Sequence, residues 1–580
     1  MEKRFFNNIV IISFIKFLTL SLTGIIDCAF VGRYLGTEGL SAMKLAMPLF
    51  LIYSFFSTVF ASGLSVALPR EMAVGNRVKA GRLFRTVITV TVVLGICFTA
   101  AGIIYPQAIT NAFAGSADIG QARVLTGDYL RPILIGALPI LLYDVLGTVA
   151  LLGGGGRIIR ASSIALFVVD VAGDILSVWL GWGMLGIASA STAAYLVSCA
   201  VIFLYFLGAK SLIRPGFCLP DMSALRSVVS TGLPGGIDMI CKAFLPIAVN
   251  FFVLTYGTMP GLAALSVQDA LQYIPQAMCI GISSATLILT GMCAAESDVK
   301  ILRQEKMFVL RWSFVGGMTI AGILIVLASP ILWLFTADDT VHSLGVTALM
   351  LYLTGVPFIA VNSSVIAYFQ GLGLRKAAAI FTIFRSLLSP LMFAWILGFF
   401  FGDFGIYASF TASGLFVLAV LGAAHLIVKM RNIVIPDSFV DQDIIAEVKV
   451  TIKDPEQVVS ASQQVNELCA ANGVDPRQSY HVALMVEELA ANTLQHGFED
   501  RRDGHLELKF MITGSMLMIR LRDNGKPFDL TEQYKLIDPD VPDRNIGLRL
   551  VFAAADEVSY NSTMDLNNVY VRVRRVSEMN

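Results

Sequence analysis

Apolar residues fill roughly the first three quarters of the chain in long runs, with polar residues mostly in the short gaps between them. Runs near 9–32, 45–69, 85–106, 127–151, 160–181, 185–209, 228–254, 262–293, 308–336, 342–370, 377–401 and 405–429 are each long enough for a helix to cross the ~30 Å hydrocarbon core of a bilayer. After Pro436-Asp437 the pattern changes. Residues 446–452 read as a strand, 456–472 as an amphipathic helix with Val458, Val465 and Leu468 inward, and 478–497 as a second helix. Alternating stretches 505–512 and 516–522 pair as a hairpin around Thr513-Gly514-Ser515. Residues 546–555 read as helix, and 557–562 and 568–576 as strands. The expected fold is a polytopic α-helical membrane protein of twelve transmembrane helices plus a C-terminal cytoplasmic α+β sandwich.

The twelve runs divide into two sixes. Leu138-Pro139 followed by Asp144, Gly153 and Arg157 matches Val356-Pro357 followed by Asn362, Gly371 and Arg375. Gly186-Ile187 with Thr192-Ala193 matches Gly405-Ile406 with Thr411-Ala412, and Gly36-Thr37 echoes Gly257-Thr258. Six helices per unit is even, so both units share one orientation: two parallel six-helix repeats, as in transporters that rock two lobes about a central site. The expected divisions are a first lobe over 1–215, a second over 216–435, a linker over 436–445 and a tail domain over 446–580.

Composition excludes several classes. The chain has 580 residues, 56% hydrophobic and 14% charged, where soluble globular chains run near 25% charged. A purely soluble enzyme, a disordered chain, collagen and a disulfide scaffold are ruled out. The zero net charge hides a split: residues 1–435 hold 27 Lys+Arg against 18 Asp+Glu, and residues 436–580 hold 15 against 24. Alternate loops are basic, with Arg70 to Arg85, Arg157, Lys210, Lys300, Arg375 and Lys429, while the loops between are poor in Lys and Arg. The positive-inside rule then puts both termini and the tail in the cytoplasm. The eight cysteines form no CxxC pair and read as small buried hydrophobes. The first apolar run carries no cleavage signal and is expected to stay as the first helix.

Charge inside a lipid span is expensive and usually functional. The first lobe places Asp27, Asp144, Asp170 and Asp174 there. Asp170 and Asp174 are four apart and share a helix face, so both cannot stay ionised cheaply; one must take a proton, pair with a cation or bind Na⁺. The second lobe offers Asp238 with Lys242 four residues on, readable as an intrahelical ion pair, and Asp269 toward the outer end of its helix. Asp238, Asp269 and Asn362 are the candidates for a substrate lumen.

The run Ile26-Asp27-Cys28-Ala29-Phe30-Val31-Gly32-Arg33-Tyr34-Leu35-Gly36, followed by Leu40-Ser41-Ala42, resembles the first-helix signature of MATE multidrug and toxin extruders. The Gly-rich turn before Arg157, the Asp170–Asp174 helix and the Gly186-Ile187 turn fit the same family over about 1–430. The resemblance implies a two-lobed antiporter exporting organic, often cationic, compounds against Na⁺ or H⁺ entry. It carries the ion-coupling site onto Asp27 and Asp174. A frequent Asn of the family is replaced by Asp144 in helix 4 and by Asp170 in helix 5, which adds negative charge to the set. In another branch the acidic residue lies on helix 7, where Asp238 would stand in.

In the tail, Val486-Glu487-Glu488-Leu489-Ala490-Ala491-Asn492 puts Glu488 and Asn492 on one helix face. An amide oxygen there can hold Mg²⁺, and a carboxylate beside it can deprotonate a nucleophile. Asp523-Asn524-Gly525 follows a strand, and Gly547 opens Gly547-Leu548-Arg549-Leu550. In this order and spacing the three segments resemble the GHKL (Bergerat-type) nucleotide-binding fold, in its anti-sigma-factor serine-kinase branch, over about 445–576. The resemblance implies that Asn492 coordinates Mg²⁺ on ATP, Glu488 orients or deprotonates the attacking group, Asp523 binds the adenine amino group, and Gly525 and Gly547 let backbone approach the nucleotide. The lid keeps one glycine in Asn545-Ile546-Gly547, and Tyr570 stands in the last strand where a small hydroxyl residue is usual. No phospho-accepting histidine helix precedes the domain, His481, His496 and His505 read as structural, and no P-loop is present.

The primary expectation is a Na⁺- or H⁺-coupled antiporter for organic, cationic compounds with an ATP-binding regulatory or serine-kinase-like tail. The alternative is a membrane ligand sensor whose output is that tail. A lipid-linked oligosaccharide flippase is disfavoured by the acidic first lobe. Expected partners are the lipid bilayer, a small organic substrate and a cytoplasmic regulatory protein, with no nucleic acid. The expected location is the plasma membrane of a prokaryote.

Overall fold

The computed structural model describes residues 2–73, 77–114, 121–208, 214–295, 299–333, 339–430, 444–498, 504–535, 546–563 and 566–576. The first lobe runs α1 (Glu2–Tyr34), α2 (Gly36–Ala73), α3 (Arg77–Ile104), α4 (Pro106–Ala114), α5 (Gln121–Ile135), α6 (Ala137–Leu152), α7 (Gly156–Trp179) and α8 (Gly183–Leu207). The second runs α9 (Met222–Tyr256), α10 (Met259–Leu271), α11 (Tyr273–Ala295), α12 (Val299–Leu332), α13 (Asp339–Gly371), α14 (Arg375–Ile383), α15 (Ser389–Phe401) and α16 (Asp403–Met430). Among the described residues these make eleven spans long and apolar enough to cross a membrane, or twelve when the bent pair α5–α6 counts as one.

Three expected helices are interrupted. The span expected over 127–151 bends by 49° between α5 and α6. Gly136 sits at that bend, where a Cβ would lie 2.4 Å from Thr192 Cγ2 of α8. The span expected over 262–293 breaks at Gln272, between α10 and α11. The span over 377–401 contains one π turn, Phe384–Leu388, between α14 and α15. Pro390 has no N–H to return to the carbonyl four residues back, so the ladder widens there.

The internal repeat recurs in the packing. Thr192 Oγ1 donates to Pro132 O at 2.9 Å, and its counterpart Thr411 Oγ1 donates to Leu351 O at 2.5 Å. Gly136 packs on Thr192 and Gly355 on Thr411 in the same way. Gly95 meets Leu138 Cα, and Gly317 meets Pro357 Cα, at 2.8 and 2.7 Å from where a Cβ would be. The same small residues therefore fix the same helix pairs in both lobes.

The lobes touch along α1, α2, α9 and α11. A Cβ on Gly63 would lie 2.2 Å from Val228 O, and one on Gly232 would lie 1.9 Å from Val59 O. A Cβ on Gly281 of α11 would lie 3.1 Å from Phe14 N in the α1 backbone, a looser approach. Arg70 Nη2 donates to Gly371 O at 3.2 Å. Lipid gives helices no hydrophobic reason to associate, so close backbone packing through small residues supplies the contact. The two lobes are thus joined at the end of the bundle that carries Arg70 and Arg375.

The tail forms β1 (Ile444–Ile452), α17 (Pro455–Ala471), α18 (Pro476–Gly497), β2 (Leu506–Thr513), β3 (Met516–Asp523), α19 (Leu530–Lys535), α20 (Ile546–Ala554), β4 (Glu557–Thr563) and β5 (Leu566–Arg574). The sheet is antiparallel, in the order β1-β2-β3-β5-β4. Helices α17, α18 and α20 cover one face through Val458, Val465, Val486, Leu489 and Val551. Glu507 joins Lys449 at 3.2 Å and Arg520 at 3.0 Å across the strands. The expected elements are all present, and α19 is additional. The linker expected over 436–445 lies outside the described residues, except Ile444 and Ile445, which open β1.

The packing of α2 on α9 yields a test. Gly63→Val forces a side chain into the Val228 carbonyl, and overpacking of this kind costs about 1–3 kcal/mol. A melting curve of the purified full-length protein should fall by several degrees. Gly24→Ala, where a Cβ meets nothing within 4 Å, should leave it unchanged. Equal melting of the two variants would rule out the contact.

Candidate functional site

Three constellations carry chemistry. The first lies inside the first lobe. One turn of α7 puts Asp170 and Asp174 on the same face, and α1 brings Asp27 against them. One carboxylate oxygen of each lies within 4.8 Å of the others. All three side chains are buried, Asp174 completely. Asp27 Oδ1, Asp170 Oδ1 and both oxygens of Asp174 have no hydrogen-bond partner. Gly173, on the same helix, lets α8 approach: a Cβ there would meet Ala190 Cβ at 2.5 Å. Ser191 hydrogen-bonds to Asp27 and Asp170; carboxylate oxygens gathered this closely and away from water suit a hard cation or a shared proton.

The second constellation is a cavity of about 330 Å³ between the lobes. It is lined by α1, α2, α6, α9, α11, α13, the π turn and α16. Asp144 faces it, not the acid cluster. Lys16 Nζ donates to Asp144 Oδ1 at 2.7 Å and Ser57 Oγ to Oδ2 at 2.8 Å. Lys16 also lies 4.9 Å from the Tyr143 ring centroid. The structure therefore separates Asp144 from Asp27, Asp170 and Asp174, with which the sequence had grouped it.

On the opposite wall, Asp238 accepts from Lys242 Nζ at 2.8 Å, from Arg385 Nη2 at 2.6 Å and from Ser386 Oγ. The intrahelical ion pair with Lys242 is therefore only part of its environment. Asn362 also lines the cavity; its Nδ2 donates to Gly414 O at 2.9 Å and holds α13 to α16. Asp269 does not line it: it accepts from Gln272 Nε2 at 3.0 Å, and Gln272, at the α10–α11 break, reaches the cavity instead. Lys16 and Arg385 belong to no motif. Each is a lone cation inside an apolar run, and that isolation was the available signal.

The acids that suggested a cationic substrate fall mostly outside this cavity. Asp27, Asp170 and Asp174 are not among its lining residues. Its charged lining is Lys16, Lys242 and Arg385 against Asp144 and Asp238.

The third constellation is in the tail. Asp475 caps α18 by accepting from Arg477 N and Gln478 N, both at 3.0 Å, and Pro476 follows at the first position. Val482, Met485, Val486 and Leu489 bury one stripe of α18, and Glu488 and Asn492 stand a turn apart, both half-buried. Gly547, at the start of α20, lies against Glu488: a Cβ would sit 2.0 Å from Oε2. Asp523 ends β3, and its Oδ1 accepts from Gly525 N and Asn567 Nδ2, both at 2.8 Å. A Cβ on Gly525 would be 2.6 Å from Gly497 O, so the loop after β3 lies on the end of α18. The last-strand residue facing Asp523 is Asn567, not Tyr570, which pairs with Arg520 further along β5. Asn545 and most of the lid lie outside the described residues.

Comparison with known proteins agrees with this geometry. Residues 13–179 and 234–396 match the MatE family model, and residues 452–573 match that of a histidine kinase-like ATPase domain. Multidrug export protein MepA of Staphylococcus haemolyticus (strain JCSC1435) is 20% identical over 374 residues, which cover 64% of this chain and 82% of the relative. The protein of the same name from Staphylococcus aureus (strain NCTC 8325 / PS 47) is 22% identical over 417 residues, covering 70% and 89%. The fold superposes on an outward-facing multidrug resistance MATE family transporter of the MOP superfamily with TM-score 0.68 at 20% identity, covering 74% of this chain and 97% of that one. A MOP superfamily transporter from Pyrococcus furiosus gives 0.66 at 22%, covering 74% and 96%. With more than half its length matched, the chain belongs to the MatE family of membrane transporters and carries a histidine kinase-like ATPase domain in its C-terminal part.

Proposed function

We propose that the protein is a cation-coupled antiporter that exports small organic compounds from a prokaryotic cytoplasm across the plasma membrane, with both termini on the cytoplasmic side. The observation that carries this reading is the set of three buried carboxylates from α1 and α7. Asp27, Asp170 and Asp174 would hold Na⁺ or H⁺. With the cation bound, α1 packs against α7; without it, like charges push them apart. Lys16 is eleven residues from Asp27 on the same helix, about three turns away and on nearly the same face. Helix α1 also carries Phe14, in contact with α11 of the other lobe. One helix thus links the cation site, the cavity wall and the lobe interface, so cation entry and substrate release would be coupled through its position. Export of drugs, the activity named for the staphylococcal relatives, is compatible with a cavity of this size.

The tail would bind ATP with Mg²⁺ on Asn492, Glu488 acting on the attacking hydroxyl or water, and Asp523 on the adenine, with Gly525 and Gly547 leaving room for the nucleotide. Asn567 would position the Asp523 carboxylate. The output would be regulation of transport or modification of a cytoplasmic partner protein.

Two measurements test these roles. In proteoliposomes with an imposed Na⁺ or pH gradient, Asp27→Asn and Asp174→Asn should each lower gradient-driven dye efflux by about tenfold or more, while Asp269→Asn should not. Efflux indifferent to both gradients would remove the antiporter reading. For the tail, a fluorescent ATP analogue titrated onto the full-length protein should bind about tenfold more weakly in Asn492→Ala than in the wild type with Mg²⁺ present, and equally in both without it. An Asn492→Ala variant that binds as tightly as the wild type in Mg²⁺ would refute the assignment.

A further inference from the structure

We infer that the central cavity takes an organic anion: an apolar body bearing one carboxylate, sulfonate or phosphate group, held at the Lys242–Arg385 wall. This deepens the transporter reading and rests on it for its physiological meaning. The charged lining has three cations, Lys16, Lys242 and Arg385, and two carboxylates, Asp144 and Asp238. Both carboxylates are already satisfied. Asp144 has Lys16 and Ser57; Asp238 has Lys242, Arg385 and Ser386. An arriving cation would find no acid that is not already paired, and would have to displace a lysine or an arginine.

Donor capacity is what the second-lobe wall has to spare. Arg385 gives Nη2 to Asp238 and Nη1 to Ser363 at 2.8 Å, but its Nε is buried with no partner. Ser283 Oγ, on α11 and in the same lining, is likewise buried with no partner. Lys242 has three N–H donors and, among the described residues, one ion pair, with Asp238; its side chain is 30% exposed. Asn362 Oδ1 in the lining is also buried without a partner, which suits a hydroxyl or amide on the body of the ligand. Unmet buried donors beside two cations are worth most to an oxyanion, because charge-assisted hydrogen bonds are about twice as strong as neutral ones. The rest of the wall mixes apolar side chains, including Met239, Ile280, Leu287 and Phe410, with uncharged polar ones such as Gln272 and Gln276.

The wall is built by a local departure from α-helical geometry. The π turn at Phe384–Leu388 contains Arg385 and Ser386, and both reach Asp238. Single π turns of this kind occur frequently at functional sites. Asp238 then acts as the holder of the two cations and as the competitor that an incoming anion must outbid. The coupling cation and the substrate also need not share a carboxylate: the acid cluster is outside the lining, and α1 connects the two sites.

The test uses two xanthene dyes of similar shape and opposite charge, fluorescein and rhodamine 123. Each is titrated by fluorescence anisotropy onto the full-length protein in phosphatidylcholine nanodiscs, with empty nanodiscs subtracted. Fluorescein should bind about tenfold more tightly than rhodamine 123. Arg385→Gln and Lys242→Gln should each weaken fluorescein by about tenfold or more, and Asp238→Asn should strengthen it severalfold. Lys242→Gln carries the test if Arg385→Gln does not fold, as judged by melting. Tighter binding of rhodamine 123, fluorescein binding unchanged by the lysine and arginine variants, or no fluorescein binding up to millimolar dye would overturn the inference. Proteoliposome flux separates it from the broader reading. Fluorescein bound at this wall but moved by no gradient would sink the antiporter and keep the anion site. Rhodamine 123 driven by a gradient, with fluorescein unbound, would keep the antiporter and sink the anion site.

Discussion

Three carboxylates are held against one another inside a lipid-spanning lobe, and that repulsion is the constraint from which the rest of the molecule can be understood. At about 4 Å, two unit charges repel by about 4 kcal/mol even at an effective dielectric near 20. Asp27 and Asp170 have a hydrogen bond with Ser191, but one buried oxygen of each and both oxygens of Asp174 have no donor, so the protein compensates the cluster only in part. Carboxylates so placed cannot all stay ionised cheaply, and sharing a proton or a cation lowers that cost. Helix α1 also carries Lys16 and touches α11, so one helix runs past the acid cluster, the cavity wall and the contact between lobes.

The two lobes share a packing plan and differ in charge. Gly136 on Thr192 and Gly355 on Thr411 fix the same helix pair in each. Asp144 of one lobe occupies the place of Asn362 in the other. The first lobe keeps a bare acid cluster; the second keeps an acid, Asp238, wholly committed to cations. Backbone packing in a bilayer depends on small residues at fixed spacing and is conserved between the halves of one chain by geometry alone. Charged side chains are free to diverge, and here one lobe has three clustered acids and the other an acid paired with Lys242 and Arg385.

The tail follows soluble rules. Its sheet and three helices bury a single apolar core; Glu488 and Asn492 stand on α18, while Asp523 and Gly547 sit where elements meet loops, at the end of β3 and the start of α20. These are positions where backbone groups are unpaired and where glycine permits close approach. Asn567 shows how such a site is completed from a distance in sequence: β5 returns beside β3 and brings an amide onto the Asp523 carboxylate.

What the sequence determined by itself were the features that depend on local periodicity. Apolar runs of bilayer length gave the spans, alternation gave the strands, and a spacing of four put Asp170 beside Asp174 and Glu488 beside Asn492. Motif order was enough to mark both families. Tertiary structure alone decided which charges meet. Asp144 reads in sequence as one more buried acid, yet the fold gives it to Lys16, 128 residues away, and leaves Asp27 to α7. Asp238 reads as a pair with Lys242, yet a π turn delivers Arg385 from 147 residues on. The breaks at Gly136 and Gln272 were hidden for the same reason: an apolar run records that a helix is in lipid, whereas its bends are set by the neighbours it packs against. Charge partners and kinks are long-range properties, and a spacing pattern along the chain carries only short-range ones.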